Sequence, residues 1–92
     1  MIKTFKHKGL EDYYFSSSTA GIIPSHAKRI TERLQFLDAA HVIDDMDKPG
    51  YKLHRLSGRL KGQWSISVSG NWRIFFKFEN GHAYIINYGD YH

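Results

Sequence analysis

The feature that most constrains this chain is a change of period. From Tyr51 onward apolar residues recur at every second position. Trp64, Ile66 and Val68 alternate with Ser65, Ser67 and Ser69, and Trp72, Ile74, Phe76 and Phe78 alternate with Arg73, Phe75 and Lys77. Period two is the signature of strands with one buried face. His82 to Tyr88, rich in Tyr and Ile, reads as a further strand, and Asn80-Gly81 before it is a strong two-residue hairpin turn.

Parity then fixes faces, because a slip of one residue turns every side chain over. A two-residue loop at Gly70-Asn71 pairs Ser69 with Trp72 and separates the two apolar sets. A three-residue loop, Ser69-Gly70-Asn71, pairs Val68 with Trp72 and unites them, with Asn71 in the left-handed position. The three-residue loop is therefore expected. With Asn80-Gly81 as the other loop, Arg73 falls opposite Tyr88 and Asn71 opposite Asp90. Arg73, Lys77, Tyr88 and Asp90 then share the face away from the core, with His92 on it too if the strand continues. Tyr91 is sent to the other face unless the strand breaks or twists.

The N-terminal half has a helical period. Ala27, Ile30, Leu34 and Leu37 form one apolar stripe opposite Lys28, Arg29, Glu32 and Gln35. Ile23-Pro24-Ser25 opens this helix, with Pro in the first turn and Ser25 as a possible cap, and it ends near Ala40-His41. Lys8 to Phe15 forms a shorter helix with Leu10, Tyr13 and Tyr14 on one side, and Ile2 to Phe5 a short first strand. Asp44, Asp45 and Asp47 make an acidic connector before a Pro49-Gly50 turn. The expected class is α+β: two to three helices packed on one face of a small, twisted, mainly antiparallel sheet, the other face open to a ligand.

Ninety-two residues make a single domain over 1–92. With no cysteine there is neither a disulfide nor a thiolate metal site. The charged start lacks an apolar signal region and no run reaches the roughly 18 apolar residues of a membrane span, so a cytoplasmic protein without membrane contact is expected. The net charge of +4 is unevenly placed: residues 48–78 hold seven Lys and Arg and no Asp or Glu. That footprint fits a polyphosphate ligand, against the ordinary alternative of a solvated basic surface. Lys52, Arg55, Arg59, Lys61 and Lys77 are its candidate RNA contacts.

The groups for chemistry are few. His54 alternates with Leu53, although a single histidine is more often a surface group than a catalyst. Arg73 interrupts an apolar strand; an outward arginine is ordinary, but its fork suits a phosphate gathering charge. Asp90-Tyr91-His92 places an acid, a phenol and an imidazole directly after a strongly apolar strand, where a frayed tail is the usual finding. The six histidines are not paired as metal ligands, and neither a Walker loop nor a Rossmann glycine set is present, so no cofactor is expected.

Tyr51-Lys52-Leu53-His54-Arg55-Leu56-Ser57-Gly58, Gly62-Gln63-Trp64-Ser65-Ile66-Ser67-Val68, Asn71-Trp72-Arg73-Ile74 and Asn87-Tyr88-Gly89-Asp90-Tyr91-His92 together resemble the HigB branch of the RelE superfamily of bacterial toxins. The likeness runs over essentially the whole chain and is weaker in its N-terminal third. It implies a RelE-like fold, metal-free and ribosome-dependent cleavage of mRNA in the 30S decoding site, neutralisation by a HigA-like helix-turn-helix antitoxin, and contact with operon DNA only through that antitoxin. By position, His54, Arg73, Asp90, Tyr91 and His92 match the family's catalytic cluster. The chain departs from it at Ser57 and Ser69, where some relatives carry basic side chains; Arg59 and Lys61 are candidates to replace that charge.

On this reading the 2′-hydroxyl attacks the adjacent phosphorus, His54 and His92 share the base and acid roles in an order left open, and Arg73 stabilises the phosphorane-like state. The alternative is a non-enzymatic RNA-binding module using a basic aromatic sheet face. It needs exposed indoles, whereas the core register of Trp64 and Trp72 implies that both are mostly buried. A third reading makes the Phe75, Ile86 and Tyr84 face a docking patch for a protein.

Overall fold

The computed structural model describes residues 1–91. Two helices, α1 (Lys8–Ser16) and α2 (Ala27–Ala39), pack on an antiparallel sheet of β1 (His54–Arg55), β2 (Gln63–Ser69), β3 (Trp72–Glu79) and β4 (His82–Asp90), in the order β1-β2-β3-β4. This is the expected α+β arrangement. Residues 2–5 run beside β4 as isolated parallel bridges, Ile2 with Ala83 and Phe5 with Ile86, rather than as a full strand.

Local chemistry sets the helix ends. The His7 ring accepts the Leu10 N–H at 3.0 Å and caps α1. Pro24 opens a short 3-10 turn that runs into α2. Ser25 provides no cap, and His26 turns its ring inward instead. After α2, Asp45 accepts the His41 and Val42 N–H groups at 2.9 and 3.2 Å, which holds its carboxyl below the usual value. The α2 stripe buries Ile30, Leu34 and Leu37 with Leu10 of α1 against Ile66, Ile74, Phe76 and Ile86 of the sheet.

Two bulges correct the expected registers. The β2–β3 turn is the two-residue Gly70-Asn71, because Ser69 pairs with Trp72, and Gly70 rather than Asn71 carries the positive φ, 56°. A bulge at Val68 then restores the parity, so Ile66 pairs with Ile74 and Trp64 with Phe76. The apolar sets unite as expected, by a different device. The β3–β4 turn is Asn80-Gly81 with φ of 52° and 78°, the pattern of a type I′ turn. Further along, Phe76 faces both Ile85 and Ile86, and Ile85 has φ 47°. From there Arg73 pairs with Gly89 and Trp72 with Asp90. Tyr88 therefore lies in the core at 5% exposure, not beside Arg73. Ile86 and Phe75 are buried as well, which removes the docking patch expected from them.

Candidate active site

Three strands bring the site together on the side of the sheet away from the helices. His54 of β1 pairs with Ser65 of β2, Ser65 with Phe75 of β3, and Arg73 with Ser67 and Gly89. Side chains opposite one another in such pairs stand on the same face. The Arg73 guanidinium leans toward β2, where Nη1 donates to Ser65 Oγ at 3.1 Å and to the Lys52 carbonyl at 3.4 Å. Ser65 is thus the common neighbour of His54 and Arg73. Its own side chain is fully buried, so the guanidinium is held from beneath while its remaining donors, without a hydrogen-bond partner among the described residues, can meet an anion.

The β4 bulge decides the position of Tyr91. With one extra residue in the strand, Tyr91 comes to the Arg73 face, contrary to the uniform-register expectation. Its ring centroid lies 5.7 Å from that of Phe75 and 5.9 Å from the Arg73 guanidinium carbon. The Tyr91 N–H donates to the Asn71 carbonyl at 2.8 Å, which ties the chain end to the β2–β3 turn. The ring remains 40% exposed, a tilted aromatic platform beside a cation. Asp90 closes β4 in register with Trp72, not with Asn71, which sets it on the helix side of the sheet and not on the Arg73 face expected for it. His92 lies outside the described residues.

The wider set of cations is divided. Lys52 is exposed, in a left-handed conformation (φ 49°) that turns its carbonyl to Arg73. Arg59, in a 3-10 turn at Gly58–Leu60, and Lys61 after it are exposed beyond the β1 end of the face. Lys77 shares the Arg73 face but is paired with Glu79 at 3.2 Å. Arg55 is opposite Trp64, with its guanidinium 5.6 Å from the indole centroid, so the register turns it away from His54. Trp64 and Trp72 are half-buried, less covered than expected, and both belong to the helix side. Trp72 packs on Tyr88 and His26 at centroid distances of 4.9 and 5.7 Å.

Sequence reasoning missed Ser65, Phe75 and the Lys52 carbonyl as parts of the site. The available signal was two serines, Ser65 and Ser67, opposite Phe75 and Arg73: small residues leave room for large neighbours to cross the sheet face. Among the described residues no group of three or more His, Asp or Glu gathers to hold a metal.

A family model described as the RelE-like toxin of the type II toxin–antitoxin system HigB matches residues 3–92. The chain belongs to the HigB-like toxin family. Within that family it is 50% identical over 92 residues to Endoribonuclease HigB of Proteus vulgaris, covering 100% of both chains. It is 35% identical over 85 residues to Toxin HigB-1 of Vibrio cholerae, covering 90% of each. A solved YoeB–YefM complex from Staphylococcus aureus shares the fold with a TM-score of 0.64 and 25% identity, over 100% of this chain and 95% of that one. The YoeB dimer from the same organism gives 0.62 at 20% identity over 99% and 94%. As a toxin of a type II pair the chain has an antitoxin for a partner. No helix among the described residues is long and apolar enough to cross a membrane.

Proposed function

We propose that this protein is the endoribonuclease toxin of its pair and cuts mRNA held in the ribosomal decoding site. The observation that carries the reading is full-length identity of 50% with an endoribonuclease. The geometry supports it: one exposed face carries an anchored arginine fork, an imidazole and a phenol around a shared serine.

In the proposed reaction the 2′-hydroxyl attacks the neighbouring phosphorus. The new O–P bond forms as the bond to the 5′-oxygen breaks, leaving a 2′,3′-cyclic phosphate and a 5′-hydroxyl. One of His54 and His92 takes the 2′-hydroxyl proton and the other protonates the departing oxygen. Arg73 meets the charge that develops on the phosphorane oxygens. Tyr91 aligns the nucleotide by stacking, and no metal takes part. The site is an open sheet face rather than a cleft, so the ribosome supplies the in-line geometry; orientation of this kind can lower a barrier by about 7–11 kcal/mol. The antitoxin is a HigA-like helix-turn-helix protein, operon DNA is reached only through it, and the toxin acts in the cytoplasm.

The test is induced expression in a bacterium with RNA end mapping. Growth arrest with transcripts ending in 2′,3′-cyclic phosphates inside coding regions, relieved by the neighbouring antitoxin gene, is expected. Arrest with intact transcripts would contradict an endoribonuclease and favour a protein that only holds RNA.

A further inference from the structure

We infer that Gly89 is the floor of a nucleotide subsite between Arg73 and Tyr91. The inference rests on the endoribonuclease reading and names a residue that reading does not use. The chain has eight glycines. Five of them, Gly50, Gly58, Gly62, Gly70 and Gly81, adopt positive φ. Gly9 and Gly21 meet backbone to backbone, so that a Cβ on either would lie within 2.6 Å of the other. Gly89 has neither reason. Its φ is not positive, and it pairs in register with Arg73, clear of the β4 bulge. A Cβ built on it would touch only Phe75 Cε2, at an ordinary 3.9 Å, among the described residues.

A glycine inside a strand weakens it, and where no bulge, turn or neighbouring backbone requires one, close approach of a ligand is the remaining cause. The surroundings fit that cause. Gly89 lies opposite Arg73 and two residues before Tyr91, on their face of the sheet. The Arg73 side chain leans away from it toward Ser65 and Lys52, leaving the strip above Gly89 uncovered by that side chain. The Phe75 edge borders the strip on one side and the tilted Tyr91 ring on the other. A nucleotide of single-stranded RNA whose phosphate meets the Arg73 fork can lay its ribose on this bare backbone and its base toward Tyr91. A methyl group at residue 89 occupies that space.

The experiment compares the wild-type protein with Gly89→Ala and Gly89→Val in thermal melts and in single-turnover cleavage of mRNA on programmed ribosomes. Both variants are expected to melt at or above the wild-type temperature, since side chains suit strands better than glycine. Gly89→Ala is expected to cleave about tenfold more slowly, in the range one misplaced methyl group can cost, and Gly89→Val about 100-fold more slowly. Stable variants that cleave at the wild-type rate would overturn the subsite. So would variants whose melting temperatures fall, because the fold itself would then explain the glycine. A wild-type protein that leaves mRNA intact would instead remove the endoribonuclease reading, and the subsite with it.

Discussion

At the scale of single residues, Arg73 depends on its supports. Its guanidinium is held by one buried hydroxyl and one carbonyl, and such anchoring fixes where the free donors point before substrate arrives. Ser65→Ala removes one hydrogen bond from a charged donor, a class worth about 1.5–3 kcal/mol and here at its low end because Arg73 is half-exposed. The expected effect is a loss of cleavage rate of up to about tenfold with the fold intact, measured on programmed ribosomes beside a denaturant melt. A second residue-scale expectation concerns His26, which is 8% exposed. Tyr88 Oη accepts the Ile23 N–H at 3.4 Å and lies 2.7 Å from His26 Nδ1. The two rings share one buried hydrogen bond, whose direction follows the imidazole tautomer. Burial, and then the nearby Arg29 charge, push the His26 pKa below its ordinary 6.5. The unfolded chain therefore binds the proton more readily. Stability is at its full value above pH 6.5 and declines as pH falls toward the lowered folded value. His7, also lowered by burial, adds a slope of the same sign. The urea midpoint should drop between pH 7.5 and 5.5, and His26→Gln should flatten part of that drop; an unchanged slope would contradict a part for His26.

At the scale of elements, two bulges do what uniform alternation cannot. The period-two and helical patterns were enough to place β2, β3, β4, the two helices and the helix-covered face, because burial repeats along each element. They were not enough to place Tyr91, Tyr88 or Asp90, because a bulge leaves no mark in the period and shifts everything after it. The β4 bulge is supported from the opposite end of the chain: Thr4 Oγ1 accepts the Ile85 N–H at 2.8 Å and the Thr4 carbonyl accepts the Ile86 N–H at 3.1 Å. Such a tertiary contact is invisible to any local reading. Ile85 itself is β-branched at φ 47°, a conformation that costs a non-glycine residue on the order of 1 kcal/mol. Asn tolerates it better. Ile85→Asn is therefore expected to raise stability by about 1 kcal/mol in a urea titration, with cleavage unchanged because the bulge is kept.

At the scale of the molecule, charge and topology act together. The basic stretch of residues 48–78 was legible from the sequence, but its division was not. Glu79 pairs with Lys77, and Trp64 turns Arg55 aside, while Lys52, Arg59 and Lys61 remain exposed. Neutralising those three together is expected to lower the slope of log affinity for single-stranded RNA against log salt by about 2. Lys77→Gln should change it by less than any of them, as filter binding across a salt series would show. A larger effect of Lys77 would mean that its pairing with Glu79 gives way to RNA.

The whole arrangement converges on one guanidinium, the only described cation that touches Ser65 and approaches Tyr91. The decisive measurement is the single-turnover rate of mRNA cleavage on programmed ribosomes by Arg73→Ala, with ribosome binding and thermal midpoint measured on the same preparation. A rate lowered by about 100- to 1000-fold, with binding and folding retained, is expected from the loss of a group that meets transition-state charge. A rate close to wild type would show that the sheet face carrying Arg73 is not where the RNA is cut.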